Sequence, residues 1–264
     1  MTVVRPKKFL GQHFLKDKNI ASKIVASLQL KEKSFVLEIG PGTGVLTEFL
    51  SQRPDVDLQL AEIDRESVAY LKVHFPHLTP RIHEGDFLEM NLNDLTNNKI
   101  HIIGNFPYNI SSQIFFKILD HHDQVEQVVC MLQKEVADRL AEKEGSKTYG
   151  ILSVLLQAFY KIELLYKVPP GVFYPPPNVM SAVIRLLRNE RTRLSCDEVL
   201  FRKVVKQSFQ NRRKTLRNAL KPLNLPDSVL KHPFMDKRAE QLSVENFISL
   251  TTEIEKSRGA SHKI

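Results

Sequence analysis

From Ser34 to Arg185, short apolar runs rich in Val and Ile alternate with stretches of helical period. Phe35-Val36-Leu37-Glu38-Ile39 is a near-continuous apolar run that predicts a buried strand ending at a glycine cluster. Val45 to Gln52 then predicts a helix, Leu58 to Ile63 a second strand, and Glu66 to Phe75 a second helix. Arg81 to Gly85, Ile100 to Gly104 and Val125 to Leu132 supply further strands, with a helix over Ser111 to Leu119. Strands alternating with helices through short connections predict an α/β fold, a doubly wound and mostly parallel sheet. A helix over Tyr149 to Phe159 precedes two late strands, Ile162 to Val168 and Ala182 to Leu187, which are expected to close the sheet as a hairpin pair.

After Leu187 the strand signal stops. Asp197 to Gln210, Arg212 to Leu220 and Val244 to Glu255 carry helical spacing, with Pro222, Pro226 and Pro233 as punctuation between them. The pattern predicts two domains, a sheet domain over 1–187 and a small all-helical domain over 188–264. No internal repeat is visible, and Ser257 to Ile264 is expected to fray.

Composition narrows the class. A chain of 264 residues, 42% hydrophobic and 26% charged, can bury a full core and is not a disordered polymer. Cys130 and Cys196 are the only cysteines, so a disulfide scaffold is excluded and a reducing, cytoplasmic setting is expected. No apolar run has the length of a membrane span, and Met1 to Leu15 lacks the apolar core of a secretory signal. The net charge of +8 is regional: from Arg185 to Lys221 twelve basic residues face only Glu190, Asp197 and Glu198. A polyanion is the partner such a segment suits.

The candidate chemistry sits at strand ends. Glu38-Ile39-Gly40-Pro41-Gly42-Thr43-Gly44 follows a strand and opens a helix, where glycines allow a sharp turn and a close ligand approach. The dinucleotide fingerprint needs Gly or Ala at position 45, and Val45 stands there, which argues against NAD. Glu62 ends the next strand, placed to accept ribose hydroxyls, and Asp86 closes the one after, placed to accept from an adenine amine. Each carboxylate taken singly reads equally as a helix cap or a solvated charge. Three such features on consecutive strand ends resemble the class I S-adenosyl-methionine-dependent methyltransferases, a Rossmann-like fold.

Asn105-Phe106-Pro107-Tyr108, directly after the strand Ile100 to Gly104, is similar to the Asn/Asp-Pro-Pro-Tyr/Phe motif of enzymes that methylate exocyclic amines of nucleobases. An aromatic amine is a weak nucleophile because its lone pair is delocalised. Accepting its N–H bonds at Asn105 and at a carbonyl near Pro107 draws the nitrogen towards a more nucleophilic geometry, and Tyr108 offers a ring for stacking. Phe173, beside Pro175-Pro176-Pro177, is a second candidate ring, read either as the opposite side of a base sandwich or as a core residue.

Taken in order, Gly11-Gln12-His13-Phe14-Leu15, the glycine turn, Asn105 to Ser112, Phe173 to Pro177 and Phe209 to Arg217 resemble the KsgA-type small-subunit ribosomal RNA adenine dimethyltransferases over nearly the whole chain. The resemblance implies transfer of two methyls to the N6 amine of each of two adjacent adenosines near the 3′ end of 16S rRNA, during assembly of the small ribosomal subunit. It implies S-adenosyl-L-methionine as cofactor, held by His13, Leu15, Gly40, Gly42, Glu62, Asp86 and Asn105. Asn105, Pro107, Tyr108 and Phe173 would hold the base, and Arg212, Arg213, Lys214 and Arg217, on the helix predicted there, would bind RNA. No metal or membrane is implied, and the chain is expected to act as a monomer. His13 stands where the family commonly has Asn, and Phe106 where it commonly has Leu. Two rival readings share the fold: a 23S rRNA adenine dimethyltransferase of the macrolide-resistance type, and a non-catalytic RNA-binding assembly factor.

Overall fold

In the computed structural model, residues 4–260 are described. The chain runs β1 (Phe14–Leu15), α1 (Lys18–Ala26), β2 (Ser34–Ile39), α2 (Val45–Leu50), β3 (Val56–Glu62), α3 (Arg65–His74), β4 (Ile82–Glu84), β5 (Ile100–Asn105), α4 (Ser111–Asp120) and β6 (Val125–Gln133). It continues through α5 (Lys134–Ala141), α6 (Ile151–Gln157), β7 (Tyr160–Val168), β8 (Phe173–Tyr174), β9 (Ser181–Arg188), α7 (Glu198–Gln210), α8 (Leu216–Ala219), α9 (Asp227–Leu230) and α10 (Val244–Ala260). Short 3-10 turns connect several of these.

Seven strands form one sheet in the order β4-β3-β2-β5-β6-β9-β7. The pairs β4/β3, β3/β2, β2/β5 and β5/β6 are parallel, and β9 runs antiparallel to β6. The two late strands are therefore neighbours, with β9 inserted beside β6 and β7 on the edge. Strand order reverses between β2 and β5, which opens a crevice at the carboxyl ends of the parallel strands. The near-continuous apolar character of β2 and β5 has its cause here, since central parallel strands are covered on both faces.

α1 was not expected from the pattern. The Asp17 carboxylate caps it, accepting from the Asn19 and Ile20 amides at 2.9 and 3.0 Å. Ala21, Ile24 and Val25 on its buried face join a core cluster with Leu46, Leu58, Ile103 and Met131.

The chain divides into two compact units, 1–137 with 161–188, and 138–160 with 189–264. The second unit thus takes in the segment 138–160, which the sequence pattern assigns to the sheet domain. Its aromatic centre shows why: Tyr149 meets Phe209 edge-on at 6.2 Å, and Phe209 lies 5.9 Å from Phe247. α10 continues to Ala260, so 257–260 are helical, and residues 261–264 of the end expected to fray lie outside the described residues.

The predicted helix over Arg212 to Leu220 is corrected. Arg212, Arg213 and Lys214 lie in a turn closed by the Lys214 amide donating to Asn211 O at 2.8 Å, and only Leu216–Ala219 is helical. Thr215 makes an antiparallel bridge with Arg238, and the Leu216 amide donates to Lys237 O at 2.8 Å, so a distant segment holds the chain extended there. Among the described residues no helix is long and apolar enough to cross a membrane.

Candidate active site

β2 delivers the chain into the glycine turn at the crevice. Gly40 and Gly42 have φ of +64° and +57°, left-handed values that favour glycine. A Cβ on Gly42 would sit 2.8 Å from the Phe14 ring, whereas one on Gly40 would meet nothing within 4 Å, because Gly40 borders an open cavity.

That cavity has a volume of about 240 Å³ and is lined by His13, Gly40, Gly42, Glu62, Asp86, Asn105, Pro107 and Tyr108 among others. Glu62, at the end of β3, is only 3% exposed. Its Oε2 accepts from the Gly42 amide at 2.9 Å and its Oε1 from the Asp64 amide at 2.8 Å. Burial raises its pKa, opposed by those N–H donors. Each carboxylate oxygen has a second lone pair free for a ligand hydroxyl. Asp86 Oδ1 accepts from the Leu88 amide at 2.8 Å, leaving Oδ2 as an acceptor at the cavity wall.

Asn105 ends β5. Its Nδ2 donates to the His13 carbonyl at 2.8 Å, so the amide is oriented and Oδ1 is the atom left to accept. The Phe106 ring is buried, meeting Phe115 edge-on at 5.9 Å, so Phe106 is a packing residue. Pro107 O accepts from the Ile110 amide at 3.3 Å, closing the turn. Tyr108 is held on two sides: its hydroxyl lies 2.5 Å from Ser181 Oγ, and its ring stacks on His13 with centroids 5.3 Å apart. Burial raises the Tyr108 pKa, so it is a neutral phenol at physiological pH.

Two sequence candidates lie elsewhere. Phe173 is 1% exposed within the core cluster and is absent from the cavity wall, because β8 pairs antiparallel with β1 and sets Phe173 opposite Leu15. Phe173 thus takes the core position that the sequence also allowed, and it does not line the cavity that Tyr108 borders. Leu15 borders a recess of about 30 Å³ beside Gly40 and Asn105.

The basic segment is partly engaged inside the protein. Arg185 pairs with Glu163 at 2.6 Å, Arg191 with Glu245 at 2.5 Å and Arg217 with Asp236 at 2.9 Å. Arg217 also donates to Leu230 O at 2.7 Å, and Arg212 to Lys147 O. Arg213 and Lys214 project from their turn as exposed side chains.

The structure adds Phe9 and Ile63, which sequence reasoning gave no role, and gives Lys7, Gln12 and Glu38 contacts that it did not foresee. Phe9 and Ile63 line the cavity while 76% and 48% exposed, an unusual state for large apolar side chains. Ile63 directly follows Glu62, so the strand-end argument extended by one residue would have found it. Lys7 pairs with Asp64 at 2.5 Å and Gln12 Nε2 donates to Asp64 at 3.2 Å, which ties the amino-terminal segment to the cavity. Burial would raise the Asp64 pKa, but Lys7 and Gln12 outweigh it and hold it low. Glu38, 1% exposed, accepts from Thr47 Oγ1 at 2.7 Å, and burial pushes its pKa up to about 8. Among the described residues no group of three or more His, Cys, Asp or Glu is arranged to hold a metal ion.

The profile of the family described as ribosomal RNA adenine dimethylase matches residues 3–256. A ribosomal RNA small subunit methyltransferase A from Parabacteroides distasonis is 56% identical over 254 residues, covering 95% of this chain and 94% of its own. One of the same name from Cytophaga hutchinsonii is 56% identical over 252 residues, covering 95% and 98%. Among solved structures, a dimethyladenosine transferase from Plasmodium falciparum superposes with a TM-score of 0.79 at 26% identity, over 93% of this chain and 98% of its own. The 23S rRNA methyltransferase ErmE shares the fold, with a TM-score of 0.65 at 23% identity over 90% and 99%.

Proposed function

We propose, on the premise that the chain belongs to the ribosomal RNA adenine dimethylase family, that it dimethylates the N6 amines of two adjacent adenosines near the 3′ end of 16S rRNA. S-adenosyl-L-methionine is the methyl donor. The finer reading places the work on an assembling small subunit in the bacterial cytoplasm, by a monomer.

The observation that carries the reading is Asn105 on the wall of the cavity that also holds Gly40, Glu62 and Asp86. The residues present fit the cofactor: two carboxylates suit hydroxyl and amine donors, Ile63 and Leu88 suit a flat ring, and Gly40 leaves open the space a Cβ would fill. When bound, the cofactor supplies an electrophilic methyl on a positively charged sulfur.

The protein's own share is alignment. Asn105 Oδ1 accepts from the target amine, because Nδ2 is committed to the His13 carbonyl. Pro107 contributes no competing N–H. Tyr108, clamped by Ser181 and His13, presents a fixed ring for a base that has left its stack. No strong base is needed, since the methylated ammonium is acidic enough to lose its proton to water.

We further assign Arg212, Arg213 and Lys214 to RNA phosphate contact, with Arg217 holding its segment in shape. Their exposure on one turn supports this, and Arg217 is bonded to Asp236 and Leu230. The test measures methyl incorporation from labelled cofactor into unmethylated small-subunit particles, large-subunit precursors and naked RNA. Label in the small-subunit particles is expected. Label confined to large-subunit RNA would overturn the reading.

A further inference from the structure

A second recess adjoins the catalytic cavity. It has a volume of about 580 Å³ and shares Gly11, Gln12, His13 and Tyr108 with the cavity as a common wall. Its far side is the segment Pro175–Val179, with Pro6, Lys8 and Gln133 completing the lining. His13 ties the two sides together. Its Nδ1 lies 2.7 Å from the Pro175 carbonyl, which can only accept, so the ring carries its proton there.

The lip of this groove is apolar where a soluble surface is ordinarily polar. Val179 is 45% exposed there, beside the exposed rings of Pro175 and Pro176. Lys8 places a cation on the same rim, and Gln133 places an amide inside it, while the Gln12 amide is spent on the Lys7 amide and the Asp64 carboxylate.

We propose that this groove is the subsite for the nucleotide next to the target adenosine on the same RNA strand. The inference rests on the reading under Proposed function. When one base leaves the stack to enter the cavity, its neighbour loses a stacking partner, and an apolar surface can replace it. Stiff prolines and Val179 supply that surface with little entropy to lose, the Gln133 amide can meet a base edge, and Lys8 can meet the linking phosphate. Two adjacent adenosines are substrates, so the strand must advance by one nucleotide. A neighbour-binding groove sharing a wall with the cavity holds one adenosine while the other reacts.

The test uses the full chain and unmethylated small-subunit particles rebuilt with a ligated 3′ RNA segment carrying a single methylatable adenosine. Three RNAs are compared: intact, abasic at the 5′ neighbour, and abasic at the 3′ neighbour. The protein is expected to methylate one abasic RNA about fivefold to hundredfold more slowly than the intact one, the range that base stacking supports. Val179→Asp is expected to lose a similar factor on intact RNA and nothing further on that abasic RNA. Val179→Ile, which keeps the apolar wall, is expected to match the unchanged protein and so separates the groove from the fold. Equal rates on all three RNAs, or losses from Val179→Asp and the missing base that multiply, would overturn the subsite. No methylation of any RNA by the unchanged protein would overturn the enzymatic reading itself, and the subsite with it.

Discussion

Glu38, one residue before the end of β2, and Asn105, the last residue of β5, lie on neighbouring strands, and each side chain is set by a hydrogen bond. Glu38 is a buried carboxylic acid with its pKa near 8, raised by burial and by the neighbouring Glu62 against the opposing Thr47 bond. In the unfolded chain it ionises near 4.5, so the folded state binds one more proton between those two values. Its stabilising contribution is complete below pH 4.5 and is lost as pH rises through about 8. Urea unfolding from pH 5 to pH 9 should show a fall on the order of 4 kcal/mol attributable to this group, and Glu38→Gln should flatten it. An unaltered slope in that variant would contradict the assignment. Asn105→Ala removes the acceptor offered to the amine and frees the His13 carbonyl. Single-turnover methylation should then fall by about 100-fold or more, the usual cost of removing one aligned hydrogen bond from a reacting centre.

At the scale of elements, the positions of β2, β3 and β5 were readable because a buried parallel strand is an apolar run of limited length. What those runs conceal is how closely their backbones approach. Gly104 lies inside β5, and a Cβ there would sit 2.5 Å from the Ile39 carbonyl of β2 and 3.2 Å from the Phe106 ring. Gly104→Ala should therefore cost about 1–3 kcal/mol by overpacking and displace Asn105, one residue on. Thermal unfolding and methylation rate should fall together, and a variant with both unchanged would refute the close-approach argument. α1 shows a signal that was present but unread: Asp17 followed by Ala21, Ile24 and Val25 is a cap followed by helical spacing. The stretch after Asn211 is the opposite case. Local pattern favoured a helix, and the bridge from Thr215 to Arg238 prevailed.

For the whole molecule the relevant quantity is free cationic charge, as distinct from total charge. The +8 is concentrated between Arg185 and Lys221, yet Arg185, Arg191 and Arg217 are bound to Glu163, Glu245 and Asp236. The exposed Arg213 and Lys214 are therefore the better probes of RNA contact. Replacing both with Ala should weaken particle binding and reduce the slope of log affinity against log salt by about 1.4, at roughly 0.7 per phosphate on single strands. Binding measured at several salt concentrations checks this, and an unchanged slope would remove these two residues from the interface.

The sequence by itself determined that four chemical features share one edge of the sheet. In parallel strands every carboxyl end points the same way, so motifs at successive strand ends meet without any knowledge of packing. That is why Gly40, Glu62, Asp86 and Asn105 could be grouped from the chain alone. Which distant segments pair was decided only by tertiary structure. β1 and β8 are two residues each, too short for any periodicity, and their pairing buries Phe173 and places the proline segment beside His13. The same holds for the cations, because an arginine's partner lies wherever the fold brings a carboxylate, and no local spacing encodes that distance.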